Sequence, residues 1–141
     1  SDPVAAMRCY QRALEIDERC AKAWVGVCEV ESSRRKLPEA QAAAKRAVEC
    51  DPSLHVAWFR LGSMLAAGRK NQEAIEALVR ASLIDPAHVP TRVGLSMLYV
   101  GEGERPTALQ HLRKAAELDR AQVEQMARQN PVISGLLDEL R

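Results

Sequence analysis

An all-α fold of stacked, antiparallel helix pairs is predicted by two features of the sequence. The chain of 141 residues matches itself when it is shifted by 34 residues, a period typical of arrays that repeat one small helical unit. Aromatic residues make up only 4% of the chain, so small and aliphatic side chains at close helix spacing must fill the core. Three columns of the register keep one residue type in every copy: Ala6, Ala40, Ala74 and Ala108; Ala13, Ala47, Ala81 and Ala115; and Asp17, Asp51, Asp85 and Asp119.

The first predicted helix runs from about Pro3 to Ile16. Its alanines align with the second helix of the later copies, so residues 1–19 form a half-repeat that lacks its first helix. We therefore expect uncovered apolar surface on Val4, Ala5 and Tyr10. The chain is then expected to be a segment of a longer array.

Three full repeats follow, at residues 21–54, 55–88 and 89–120. Pro38 and Pro106 suit the first turn of a helix, where the missing N–H has no partner to lose. The Asp-Pro pairs at 51–52 and 85–86 end their helices, and the periodic aspartates are interpreted as turn or capping residues and not as catalytic carboxylates. The six helices are predicted near residues 21–34, 38–50, 54–67, 72–84, 88–101 and 106–118.

Residues 121–141 are predicted to cap the array. One helix fits residues 121–129, Asn130-Pro131 interrupts it, and a short amphipathic helix follows. The apolar stripe of that last helix packs on the last repeat, enters a groove of its own molecule, or enters a groove of a neighbouring molecule. The stripe consists of Val132, Ile133, Leu136, Leu137 and Leu140.

The repeat resembles the tetratricopeptide repeat (TPR), whose signature runs W-x2-L-G-x2-Y, then A-x3-F, then P. The copy that matches best has Trp58, Leu61, Gly62, Leu65, Ala74, Leu78, Ala81 and Pro86. Trp24 leads a second copy, whereas Arg92 stands at the tryptophan position of the third. The resemblance implies that residues 1–141 form a single TPR domain, a right-handed superhelix whose concave groove commonly receives a peptide.

Register places three rows of side chains in that groove. The first row has Lys22, Val25 and Glu29, the second has Val56, Phe59, Arg60 and Ser63, and the third has Val93, Met97 and Val100. A mainly apolar groove of this kind favours an amphipathic helix or an extended apolar peptide of a partner protein. Phe59 is either the hot spot of the groove or a packing residue beside Trp58.

Some arrays of the family that the chain resembles hold the acidic C-terminal tails of chaperones through Lys, Arg and Asn side chains. Only Arg60 could serve in such a clamp here, so a chaperone tail is not expected. A protein-interaction scaffold is the main interpretation. The alternative is a self-assembling module that forms homo-oligomers through its uncovered terminal helices.

Other classes of function find little support in the sequence. A net charge of +1 argues against nucleic-acid binding, and the lack of an 18-residue apolar run argues against membrane insertion. The four cysteines show no paired spacing, which favours a reducing, cytoplasmic compartment and no metal site. His55, His88 and His111 lack partners at the spacing of a triad. We therefore expect neither enzymatic activity nor a cofactor.

Overall fold

The computed structural model describes residues 2–141, and the regular secondary structure in that range is entirely α-helical. The predicted all-α class is confirmed, and the helix ends lie within one residue of the predicted ones. The helices are α1 (Pro3–Ile16), α2 (Ala21–Ser33), α3 (Leu37–Cys50), α4 (His55–Ala67), α5 (Asn71–Ile84), α6 (Val89–Gly101), α7 (Arg105–Leu118), α8 (Arg120–Gln129) and α9 (Pro131–Glu139).

These helices divide into two compact units, with the boundary between Ile84 and Asp85. Unit 1 contains α1 to α5, and unit 2 contains α6 to α9. The assignment of all residues to a single domain stays a prediction.

Unit 1 is built from helix pairs in which each helix packs on the next along the chain. The first helices of successive repeats, α2 and α4, also contact each other, whereas the second helices α3 and α5 do not. The face formed by the second helices is therefore open between them. At the N-terminal end, Val4 and Ala5 are exposed as expected, but Tyr10 is not uncovered, because its ring packs on Gly26 of α2.

A column of small residues allows close approach within each helix pair. Cys28 and Ser96 are fully buried, and an added Cβ at Gly62 would lie 2.6 Å from Cδ2 of Leu78. Ser96 Oγ donates a hydrogen bond of 2.8 Å to the Ala108 carbonyl on the facing helix.

The periodic aspartates cap turns, as the sequence predicts. Asp17 and Asp51 each accept a hydrogen bond of 3.0 Å from the backbone N–H two residues later, and Asp85 accepts one of 3.2 Å. Asp119 instead caps α8 by accepting from the Gln122 N–H at 3.1 Å. The Ser53 hydroxyl and backbone N–H bind the carboxylate of Asp51 and lower its pKa.

The turn inside each repeat takes a left-handed backbone at one register position. Arg35 and Arg69 both have φ of 61°, and Gly103 has φ of 78°. In each turn the residue after the left-handed one donates its N–H to the carbonyl five residues before it. Lys70, for example, donates to Leu65 at 2.9 Å. This is the Schellman arrangement. Only glycine takes this conformation without a steric penalty, so the two arginines are conformationally strained.

Replacing Arg69 by glycine is expected to stabilise the protein by about 0.5–1 kcal/mol, because the penalty of the left-handed backbone is removed. Chemical denaturation would measure the change as a higher midpoint. The reciprocal variant Gly103→Arg serves as the control and should lower the midpoint by a similar amount. A lower midpoint for Arg69→Gly would contradict the assignment of strain to this turn.

Unit 2 has its own core, in which the two C-terminal helices cover the last helix pair. The buried side chains come from all four helices: Val89, Val93, Leu112, Ala115, Val123, Ile133, Leu136 and Leu137. Asn130 caps α9 by accepting from the N–H of Val132 at 2.9 Å, and Arg105 of α7 forms an ion pair with Glu139 of α9. Within the C-terminal stripe, Ile133, Leu136, Leu137 and Leu140 pack on the last repeat of their own molecule, where the predicted groove residue Val93 belongs to the same core, whereas Val132 is 45% exposed.

Candidate binding surface on the first helices

Helices α2 and α4 present the predicted binding residues of unit 1, with one exception. Lys22 and Glu29 are exposed on α2, and Val56, Phe59, Arg60 and Ser63 are partly exposed on α4. Val25 is only 6% exposed, because α2 packs against α4. The six accessible side chains are called the first-helix surface below: Lys22, Glu29, Val56, Phe59, Arg60 and Ser63.

An ion pair joins the two helices at this surface. Arg60 Nη2 lies 3.1 Å from Glu29 Oε1, and the Arg60 guanidinium lies 5.8 Å from the centre of the Phe59 ring. Exposed pairs of this kind contribute less than about 1 kcal/mol to stability. The pair between Glu29 and Arg60 fixes the guanidinium beside the Phe59 ring, so that a charge and an apolar surface are presented together.

The hydroxyl of Ser63 is used within α4 itself. Ser63 Oγ donates to the Phe59 carbonyl at 2.9 Å, one helical turn earlier. Such a bond to the preceding turn leaves the hydroxyl as an acceptor only. Ser63 therefore offers a partner one acceptor beside Phe59.

A small hollow of about 280 Å³ lies between the two helices next to the ion pair, and Cys28, Ser32 and Met64 help to line it. Burial raises the pKa of the Cys28 thiol to about 11, although the positive charge of Arg60 opposes this. The thiol therefore stays protonated near neutral pH, as befits a small packing residue.

The predicted residues of unit 2 are placed differently. Val93 is 1% exposed within the core beneath α8 and α9, and Val100 is half-buried against the same core. Met97 is 37% exposed, and the side-chain amide of Asn130 lies 3.7 Å from its sulfur. The C-terminal helices thus cover part of the first helix of the last repeat.

Sequence reasoning missed a second kind of surface, on the side of the second helices. The indole N–H of Trp24 donates to the Glu18 carbonyl at 3.0 Å, and that of Trp58 donates to the Pro52 carbonyl at 2.8 Å. Arg46 and Arg80 each place a guanidinium 5.5 Å from the centre of the Trp24 and Trp58 rings, respectively. The recurrence of arginine in the same register as tryptophan is the signal that could have revealed this arrangement.

Each of these tryptophans lines an open cleft between two second helices. The Trp58 cleft, about 550 Å³, lies between α3 and α5 over α4. The Trp24 cleft, about 470 Å³, lies between α1 and α3 over α2. The two clefts occupy equivalent positions in the register.

His111 packs against an aromatic ring and lies beside an arginine. His111 stacks on Tyr99 with 5.4 Å between the ring centres, and its Nδ1 lies 3.3 Å from Arg92 Nη1. Burial, together with the charge of Arg92, lowers the pKa of His111.

Within residues 2–141 no three His, Cys, Asp or Glu side chains come together as metal ligands would. No helix in this range has the length and apolar character that crossing a membrane requires.

Comparison with known proteins identifies the repeat. The sequence model of the tetratricopeptide repeat family matches residues 55–88, which comprise α4, α5 and the Asp-Pro turn after them. The chain contains a tetratricopeptide repeat. TPRs are typically interaction modules without catalytic function, so repeat and fold support a role as a protein-interaction scaffold.

Solved structures share the fold of this chain. A crystal structure of MamA superposes with a TM-score of 0.80 at 19% identity, over 97% of this chain and 84% of that chain. The structure described as MamA 41-end from Desulfovibrio magneticus RS-1 gives a TM-score of 0.74 at 22% identity, over 86% of this chain and 68% of that chain. No curated protein matches the chain significantly in sequence.

Proposed function

We propose that the first-helix surface of unit 1 captures an apolar or amphipathic helical segment of a partner protein. The observation that carries the proposal is the arrangement of Phe59, Arg60 and Glu29, in which an ion pair holds a guanidinium beside a partly exposed aromatic ring. Aromatic and arginine side chains are the types that most often dominate binding energy at protein interfaces. Val56 extends the apolar area along α4.

The chain itself supplies a precedent for this kind of ligand. In unit 2, the apolar side of α9 shares a core with Val89 and Val93 of α6. Shifted back by one repeat, these positions correspond to His55 and Phe59 of α4. An apolar helix is thus accommodated at the same register positions that the proposal assigns to a partner.

The proposal assigns different roles to the residues predicted from register. Val25 and Val93 act as core residues and Val100 as a half-buried supporting residue, while Met97 stays a candidate contact. Affinity for one short segment is expected to be on the order of micromolar, about 8 kcal/mol, because ordering a flexible peptide offsets much of the contact energy.

Phe59→Asp is expected to weaken capture at least tenfold, because it removes the ring and places a second carboxylate beside Glu29. Amphipathic helices selected from a displayed peptide library on the wild-type protein would be the probes, with affinity measured by isothermal titration calorimetry. The matched control is Leu83→Asp, the same kind of change at a leucine of α5 that is 74% exposed. Equal affinity of the selected helices for Phe59→Asp and the wild type would refute the assignment.

A further inference from the structure

The Trp58 cleft has the form of a docking site because its floor is apolar and fixed. Trp58, Leu61 and Leu65 of α4 line it. The bond from the indole to the Pro52 carbonyl holds the ring in place, so the floor is formed before a ligand arrives. Since no Cα atom of α3 lies within 8 Å of a Cα atom of α5, the space above this floor opens to solvent.

The walls of the cleft match the length of a short helical segment. The α3 wall has Pro38, Gln41, Ala42 and Lys45, and the α5 wall has Glu73, Glu76, Ala77 and Arg80. Each set follows the i, i+3, i+4, i+7 spacing of one helix face, which corresponds to a length of about 10 Å. A volume of about 550 Å³ along this length suits about two helical turns.

Charge distinguishes the two walls, apart from Arg80 of α5, whose guanidinium lies over the Trp58 ring. Glu73 and Glu76 are exposed on α5, Lys45 is exposed on α3, and Lys70 lies at one end. No ion pair within 4 Å joins any of these four side chains to another residue in the described part of the chain. Their charges are therefore available to a ligand.

We propose that the Trp58 cleft docks an amphipathic helix of a partner protein whose apolar stripe has a basic flank and an acidic flank. The stripe packs on Trp58, Leu61 and Leu65. The basic flank lies along Glu73 and Glu76, and the acidic flank faces Lys45. This site is separate from the first-helix surface, because it uses the other side of α4.

The Trp24 cleft provides an internal control for the part played by charge. Its floor also has a tryptophan beneath an arginine, but Val27 and Glu31 stand where the Trp58 cleft has Leu61 and Leu65. Glu39 stands where the Trp58 cleft has Glu73. Gln11 and Ala42, however, replace Lys45 and Glu76. The Trp24 cleft therefore lacks the charged pattern that selects the two-flank helix.

Three synthetic helices test the proposal. All carry the same leucine stripe, one with an acidic and a basic flank, one with two acidic flanks and one with two basic flanks. Binding is followed by tryptophan fluorescence in a Trp24→Phe background, where Trp58 is the only tryptophan. We expect the mixed-flank helix to bind about tenfold more tightly than the other two, and its advantage to shrink at high salt.

Charge reversal should then change the preference. In Glu73→Lys/Glu76→Lys both walls are basic, and the helix with two acidic flanks should become the best ligand, by about tenfold. In Lys45→Glu the helix with two basic flanks should gain. Glu39→Lys and Phe59→Asp should leave the order of the three helices unchanged, which separates this site from the first-helix surface.

Two outcomes would overturn the proposal. One is equal binding of the three helices in the Trp24→Phe background, or no change in Trp58 fluorescence with any of them. The other is an order of affinities that stays the same in both charge-reversal variants. The side chains whose charge is reversed are exposed, so these variants should fold, and circular dichroism would verify this for all variants before the titrations.

Discussion

Removal of residues 131–141 is expected to unfold most of unit 2. The deletion takes away Ile133, Leu136 and Leu137, three side chains that are almost fully buried. Burial of each such side chain stabilises a fold by about 1.5–3 kcal/mol, so about 4.5–9 kcal/mol is lost as an upper estimate. This is comparable with the entire stability of a typical domain, about 5–15 kcal/mol.

Hydrogen exchange would measure the effect residue by residue, as a loss of protection in α6 and α7. Val132→Ser is the control, because this residue belongs to the same stripe but is 45% exposed, and the change should leave protection nearly unaltered. Full protection of α6 and α7 after the deletion would show that α9 is not part of the cap.

Gly62→Leu is expected to destabilise the protein by about 3 kcal/mol, because a side chain at this position cannot fit. Even a Cβ would lie 2.6 Å from Cδ2 of Leu78 and 3.3 Å from the Ala74 carbonyl oxygen. Leu78 is itself buried and cannot move aside without displacing its own neighbours. Thermal unfolding followed by circular dichroism would detect the loss.

Gly135→Leu is the matched control. This glycine also lies within a helix, but apart from its chain neighbours and the backbone of its own helix, no atom lies within 4 Å of the position of an added Cβ. Leucine favours the helix over glycine by several tenths of a kcal/mol, so this variant should be neutral or slightly more stable. Similar unfolding temperatures for the two variants would contradict the close approach of α4 and α5.

Local signals explain why the helices could be predicted so closely. The Asp-Pro pairs, Pro38 and Pro106 act on their immediate neighbours, and the alanine columns repeat at each helix pair, so both mark helix ends directly in the sequence. The turn role of the aspartates followed for the same reason. These features need no knowledge of what packs against them.

The surfaces were harder to predict because they depend on distant parts of the chain. Val93 has the pattern of a groove residue, and only the return of α8 and α9 onto α6 places it in a core. Tyr10 is covered for a similar reason, since the lack of a side chain at Gly26 makes room for its ring. The left-handed backbone of Arg35 and Arg69 also escaped prediction, because arginine carries no local preference for it.

Helix α3 has an unusual position, because it is a wall of both tryptophan clefts. Ala42 faces the Trp24 cleft on one side and the Trp58 cleft on the other. A ligand that widens the Trp58 cleft by pushing α3 away from α5 therefore moves α3 towards α1 and narrows the Trp24 cleft. Two ligands that never touch would then oppose each other through this helix, giving negative cooperativity between neighbouring repeats without any change in the turns that connect them.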